Sequence, residues 1–383
     1  MTNPYLPGVL GRSVTYVLNN LGLFQGRGGT AEEIQTKQGL VILKRPPDRT
    51  AFDIGDLKTA LQNAERANYP IYKKLFDIYD QAILDDDYEA GTDKVFNSIH
   101  KLELVYNIGG NVENEVTEWI KHPKWSEFKE EILNSLFWGH SLFEFDYDAL
   151  EDFFFLIPRR NVEPRDGLIR LQESDQEGLQ YREDMIERQL SEVFGRKKFG
   201  LLLRIARPFI LKYNSEADWA DYSEQAGQNF LVVETKSHGE KNLQDVQKSI
   251  NDRGAGASIA IPEGVSLNTK NVSSASQNDL FMNFERVHSN KILKILLGQS
   301  STTNDDMQGS FAKSEVSQEE QYEKFQAYRS FLLSYLNYNF INYLEFFGFK
   351  EKGSFEFMVD EEIDPNKKED KETKEQEEDG NEE

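Results

Sequence analysis

Cysteine is absent from the chain. Its absence removes disulfides, thiolate catalysis and cysteine-based zinc sites together, and suits a protein made in a reducing cytoplasm. Long apolar runs are missing too. None approaches the roughly 18 residues needed to cross a bilayer, so no membrane partner is expected. The start, Met1-Thr-Asn-Pro-Tyr-Leu-Pro-Gly8, lacks a basic stretch followed by an apolar one, and no secretory signal is read there. Positive charge is also scarce: 44 Lys and Arg face 67 Asp and Glu, a net charge of −23. A surface that acidic does not grip DNA, because tight binding comes from cations displacing counterions at phosphates.

Aromatic residues are plentiful, at 12% of the chain with 26 Phe and 16 Tyr, which argues against general disorder. With 383 residues there is material for two or three domains. The last stretch, 360–383, is different in kind: 13 acidic and 4 basic residues, net −9, with no aromatic residue. It cannot bury enough apolar surface to order itself and reads as a solvated acidic tail.

Residues 1–37 show no sustained periodicity, and Gln25-Gly-Arg-Gly-Gly-Thr30 lacks the Lys-Ser or Lys-Thr of a phosphate-binding loop. Gly39-Leu-Val-Ile-Leu-Lys44 predicts a strand that Pro46-Pro47 ends. From Asp53 to Ala90 the pattern is mostly helical: Ile54, Leu57, Leu61 and Ala64 share one face, and Tyr72, Leu75, Tyr79 and Ile83 another. Asp85-Asp-Asp-Tyr-Glu-Ala90 reads as a solvated helix terminus rather than a metal site, since no ligand-spaced His or carboxylate follows. A helix over 124–137 runs into a strand, Trp138-Gly-His-Ser-Leu-Phe-Glu-Phe-Asp146. His140, Ser141 and Glu144 do not make a nucleophile elbow, because the second glycine of Gly-x-Ser-x-Gly is missing. Further strands are expected at Phe153–Ile157 and Leu168–Leu171. Helices first and short strands after give an α+β reading.

A helix over 198–228 follows, with a kink or break expected at Pro208. Next comes a small αβ insertion: strand Phe230–Glu234, helix Asn242–Asn251, strand Ser258–Ile261 and strand Val265–Lys270. The chain is organised around what comes after. A helix over 276–297 places Phe281, Phe284, His288, Ile292 and Ile295 at three- and four-residue steps, with Arg286, Asn290, Lys291 and Lys294 on a different face. A loop dense in Ser, Thr, Asn and Asp then leads to a second helix over 312–347.

The run Lys291-Ile-Leu-Lys-Ile-Leu-Leu-Gly-Gln-Ser-Ser-Thr-Thr-Asn304, then Gly309-Ser-Phe-Ala312 and a helix, resembles the Mu-like portal proteins of tailed bacteriophages. Ser300 and Phe311 are mild departures from the Thr and Tyr that the family can carry there. The Asp85–Ala90 stretch, where the family ends a helix, Trp138-Gly-His-Ser, and Pro158-Arg-Arg with its Asp166-Gly167 turn extend the likeness. The resemblance implies a portal fold: N-terminal arm 1–37, α/β wing 38–197, stem helices 198–228 and 276–297, a small clip 229–275, tunnel loop 298–312, and a long wing helix with an end strand to 359, the crown being short or absent. It implies a homo-oligomeric ring, a dodecamer by family, at one capsid vertex of the virion. Its partners would be the major capsid protein, the terminase large subunit, a neck adaptor and double-stranded DNA passing non-specifically, with no cofactor. Arg286, Lys291 and Lys294 would line the channel; Ser300, Ser301, Thr302, Thr303, Asn304, Asp305, Asp306 and Gln308 would form the tunnel loop; Lys236, Lys241, Gln244 and Lys248 would meet motor and adaptor. For such a ring a mostly acidic wall keeps DNA from sticking.

One motif competes. Phe230-Leu-Val-Val-Glu-Thr-Lys236, with Gln244 or Gln247 beyond it, looks like the core of the PD-(D/E)xK nucleases, where Glu holds a divalent ion and Lys helps activate water. The upstream Asp on a neighbouring strand is missing: Asp218 and Asp221 fall in the expected helix. Incubated with magnesium and supercoiled plasmid, the chain is therefore expected to leave the plasmid intact. Nicking that Glu234→Ala abolished would assign the nuclease instead.

Overall fold

A computed structural model of the chain describes residues 32–35, 41–44, 51–183, 185, 189–227, 230–235, 265–270, 275–299 and 311–358. The chain divides into two compact units, Met1–Leu211 with His288–Glu383, and Lys212–Val287.

In the larger unit, strands β1 (Glu32–Gln35) and β2 (Val41–Lys44) pair antiparallel. Helix α1 (Ile54–Ala64) starts on a reciprocal cap, Asp53 accepting from the Asp56 amide while Asp56 accepts from that of Asp53. After α2 (Lys73–Ala82) comes α3 (Asp86–His100). Here the structure corrects the sequence expectation: the acidic run at Asp85 begins a helix instead of ending one. The Asp85 carboxylate accepts from the amides of Asp87 and Tyr88. Acidic side chains belong at that end, where free N–H groups and the helix dipole favour negative charge.

Strands β3 (Leu104–Ile108) and β4 (Asn111–Val112) form a hairpin, turned by Gly109 and Gly110 at φ 60° and 89°. Helices α4 (Asn114–Ile120) and α5 (Pro123–Trp138) follow, and Gly139 at φ 102° ends α5. Strand β5 (His140–Phe145) is central to a sheet with β6 (Phe154–Leu156) on one side and β10 (Leu190–Phe194) on the other. The arm between them holds β7 (Val162–Glu163), β8 (Leu168–Ile169) and β9 (Leu179–Gln180). All six residues of β5 are buried. Phe143 and Phe145 enter the main core, while Leu142 joins a second cluster with Ile157, Val162, Ile169, Tyr181 and Leu190.

Helix α6 (Leu202–Gly227) runs through Pro208 without a break. The buried Leu202, Ile205, Ala206, Phe209 and Ile210 flank the proline and hold the helix across the missing hydrogen bond. In the smaller unit, β11 (Phe230–Thr235) pairs antiparallel with β12 (Val265–Lys270), which carries no carboxylate opposite Glu234. The expected helix 242–251 and strand 258–261 lie outside the described residues.

Helices α7 (Ala275–Leu297) and α8 (Phe311–Tyr338) are the last two α-helices among the described residues, with Gly298 at φ 86° just after α7. The second helix is shorter than its periodicity predicts. It stops at Tyr338 and gives way to a 3-10 turn, Phe340–Tyr343. Asparagines cause the stop: Asn342 donates to the Tyr338 and Asn339 carbonyls, and Asn337 bonds both backbone groups of Phe355. Phe355 lies on β13 (Ser354–Phe357), which pairs with β3. The end strand is therefore part of the main body's β-structure.

The abundance of Phe is explained here. Phe128, fully buried, meets the rings of Phe143, Phe145, Phe153, Phe154, Tyr335 and Phe340 at centroid distances of 4.9 to 6.2 Å. Trp125 closes the same cluster against Trp119 and Phe340. At the edge of this core His140 is 3% exposed, and its Nε2 has no hydrogen-bond partner among the described residues. Alternation along β5 puts Ser141 on the opposite face of the strand, where its hydroxyl accepts from Arg159. The three residues of the rejected triad are thus split between two sides of one sheet.

Burial, with the nearby Arg159 cation, depresses the His140 pKa to about 3 from its ordinary 6.5. Between those values the unfolded chain binds more protons, so the contribution is complete above about pH 6.5 and is lost as pH falls toward 3. Urea midpoints should decline over that window, and less steeply between pH 6.5 and 5 in His140→Phe. Equal slopes in the two proteins would show that His140 is not the group responsible.

Candidate nucleic-acid interface

Within the larger unit α7 contributes His288 to Leu297, and its burial pattern is sharply one-sided. His288, Ser289, Ile292, Leu293, Leu296 and Leu297 are buried, while Lys291 and Lys294 are exposed. Three and four residues separate the buried positions, which sets them on one side of a helix with 3.6 residues per turn. The helix is held very close to α3: a Cβ added at Gly91 would lie 2.5 Å from Leu296 Cδ1. A larger residue at Gly91 would require the Leu296 side chain to move.

The end of α7 is stitched to α8. Tyr328 donates its hydroxyl to the Leu296 carbonyl at 2.7 Å, and Gln299 Nε2 donates to Gln321 Oε1 at 2.9 Å. A Cβ at Gly298 would sit 3.2 Å from the Glu320 carbonyl oxygen. The chain therefore leaves α7 from a clamped base, with α8 packed against it.

Several cations of the larger unit meet carboxylates: Arg160 bonds Asp77, Asp80 and Glu173, Arg159 bonds Glu131, and Arg182 bonds Glu192. Around the junction of α6, α7 and α8 cations lie near other cations. Burial, then Arg196 and Arg204, hold the Lys324 pKa below its usual value. Burial, then Lys291 and Arg207, do the same for His288. Arg196 also donates to the Ala327 carbonyl at 3.2 Å, which fixes it over α8.

Of the basic residues read from the sequence, Lys291 and Lys294 stand on the exposed side of α7. Arg286 belongs to the smaller unit, where it is exposed and bonds Asn283 Oδ1 at 3.3 Å. In that unit Phe281 meets Trp219 and Tyr222 of α6, with centroids 6.3 and 5.7 Å away, whereas Phe284 is 40% exposed. The expected apolar face is thus only partly covered within one chain. Leu293, Leu296 and Leu297 are not among the residues read onto that face, yet they are as fully buried as Ile292. Ser300, Ser301, Thr302, Thr303, Asn304, Asp305, Asp306 and Gln308 lie outside the described residues, as do Lys236, Lys241, Gln244 and Lys248. Sequence reading missed Arg196, Arg204, Arg207 and Lys324, which come from separate parts of the chain and carry no motif. Among the described residues no group of three or more His, Asp or Glu is placed to hold a metal ion.

The model of the family described as portal protein of Mu bacteriophage matches residues 76–378. No curated protein matches the chain. Solved structures similar to it include an HK97-family phage portal protein from Corynebacterium diphtheriae, 12% identical with a TM-score of 0.43, over 72% of this chain and 93% of that one. Another is from the neck of an empty gene transfer agent particle, 10% identical with a TM-score of 0.47, over 72% of this chain and 82% of that one. A third comes from the virion of a native gene transfer agent particle, 10% identical with a TM-score of 0.45, over 84% and 93%.

The two sides of α7 should respond differently to truncation. Leu296→Ala should cost about 2–5 kcal/mol of unfolding free energy, the range for a buried leucine that leaves a cavity. Lys294→Ala should change it by no more than about 0.5 kcal/mol, as exposed positions do. Denaturant titration of both variants tests this; equal losses would mean that the helix is buried on both sides.

Proposed function

The chain belongs to the Mu bacteriophage portal-protein family, and on that premise we propose that it is the subunit of a ring at one vertex of the capsid. Double-stranded DNA passes through the ring during packaging and ejection. The ring docks the terminase large subunit first and a neck adaptor later, sits against the major capsid protein, and contains twelve copies. Its role is structural rather than catalytic.

The observation that carries this reading is the one-sidedness of α7. The helix has 23 residues, about 35 Å at roughly 1.5 Å per residue, a useful length for a channel wall. Its buried side locks it to the body, and Lys291 and Lys294 point outward. Two such cations touch phosphates without reading bases, so a duplex can slide past them. With Arg286, three cations per subunit are few enough to leave the wall largely acidic.

The parts follow from this reading. Residues 1–37 are an arm and 38–197 the wing; 198–228 and 276–297 are the stem, with the clip 229–275 between them. Residues 298–312 are the tunnel loop, 313–359 the wing helix with its end strand, and 360–383 the acidic tail. Ser300 to Gln308 narrow the tunnel, Arg286 adds a cation to the channel wall, and Lys236, Lys241, Gln244 and Lys248 present the clip to motor and adaptor. Assembly takes place in the host cytoplasm and the product is carried in the virion.

Negative-stain images of the purified chain should show rings with a central hole. Lys291→Glu with Lys294→Glu should leave those rings intact and lower the yield of packaged genome. Rings without any packaging defect would remove the two lysines from the channel. A chain monomeric at every concentration, in virions whose vertex ring is another protein, would leave it as some other assembly component.

A further inference from the structure

The cations at the junction of α6, α7 and α8 make no ion pair with a carboxylate among the described residues. Arg204 and Arg207 are exposed on α6, Arg196 is exposed just before it, and Lys324 is half-buried on α8. Among the described residues none of the four makes an ion pair, in a chain whose net charge is −23. Like charges this close raise the energy of the isolated chain, and Lys324 also loses part of its hydration. An anion that reached them would relieve both costs.

The shape of the site selects the anion. Lys324 Nζ lies 5.6 Å from the centre of the Tyr328 ring, and Arg196 is held on the carbonyl of Ala327, the residue before that tyrosine. A passing duplex presents its phosphates on a broad convex surface and touches cations that protrude. A half-buried ammonium is better met by a carboxylate carried on a side chain.

The same chain carries such carboxylates. On α3, Asp86, Glu89 and Asp93 are all exposed and are spaced three and four residues apart, so they form one row. None has an ion-pair partner among the described residues. The opposite side of α3 carries Gly91, which lies against Leu296, so the row faces away from α7. Glu319, Glu320 and Glu323 offer another row, but on α8 itself beside Lys324. A patch that meets its own neighbours gives a two-fold pair. Two different patches, one engaging the other on the next copy, give a head-to-tail contact that closes into a ring.

We propose that the Arg196, Arg204, Arg207 and Lys324 cluster of one copy receives the Asp86, Glu89 and Asp93 row of the next, as an ionic seam between neighbouring subunits. The proposal rests on the ring reading above. It gives that ring a register, because complementary charge orients partners and rejects wrong arrangements more than it adds raw affinity.

The test uses the full chain. Arg204→Glu with Lys324→Glu should raise the concentration needed for self-association by about tenfold or more, read by mass photometry, with the thermal unfolding midpoint unchanged. Adding Glu89→Lys and Asp93→Lys to that variant should restore rings, because every seam then holds the reversed pair. If the first variant folds poorly, Glu89→Lys with Asp93→Lys alone serves, since both positions are exposed, and should weaken assembly to the same degree. Variants that assemble like the wild type, or a loss that the reversed row fails to restore, would overturn the seam. So would intact rings with weakened DNA binding, which would assign the cluster to phosphate. A wild-type chain that never forms rings would end the ring reading itself, whereas wild-type rings with unaffected variants would end the seam alone.

Discussion

Leu296 pressed against Gly91 is the contact on which the arrangement depends. It sets the Leu296 side chain directly against the backbone of α3, where any larger residue would displace it. With Ile292, Leu293 and Leu297 it commits one side of α7 to the core. The rotation of the helix is then fixed, and with it the outward direction of Lys291 and Lys294. A helix anchored less tightly could turn and present those cations elsewhere. Tyr328, bonded to the Leu296 carbonyl, ties the same point to α8. The polar segment after Gln299 therefore starts from a rigid base.

That base is stiff because the core behind it is aromatic. Phe128, Trp125 and Phe340 are each surrounded by rings at edge-to-face and tilted angles, and rings of that size leave few ways to repack. Strand β13 seals the edge of β3, and Asn337 binds it to the end of α8.

Charge divides the larger unit into two regimes. Around α2, α5 and the β7–β9 arm, cations such as Arg159 and Arg160 meet carboxylates and are neutralised inside the fold. Where α6, α7 and α8 converge, cations lie near other cations, and burial and that charge push Lys324 and His288 toward their neutral forms. In a strongly acidic chain, this basic cluster makes no ion pair among the described residues.

The sequence by itself determined the local elements and the family. The three- and four-residue spacing of apolar side chains marks α7 to within a residue, and the Gly-Gln-Ser-Ser-Thr-Thr run after it carries the resemblance to portal proteins. Short-range periodicity and turn residues act within a few positions of themselves, so one chain is enough to read them. Tertiary structure decided the rest. It alone showed that Asp85 caps the start of a helix, that α6 passes through Pro208 because its flanking residues are buried, and that Asn337 and Asn342 stop α8 early. It also gathered Arg196, Arg204, Arg207 and Lys324 from separate parts of the chain. Their proximity follows from how the core packs, and packing joins residues more than a hundred positions apart, where no local pattern records the contact.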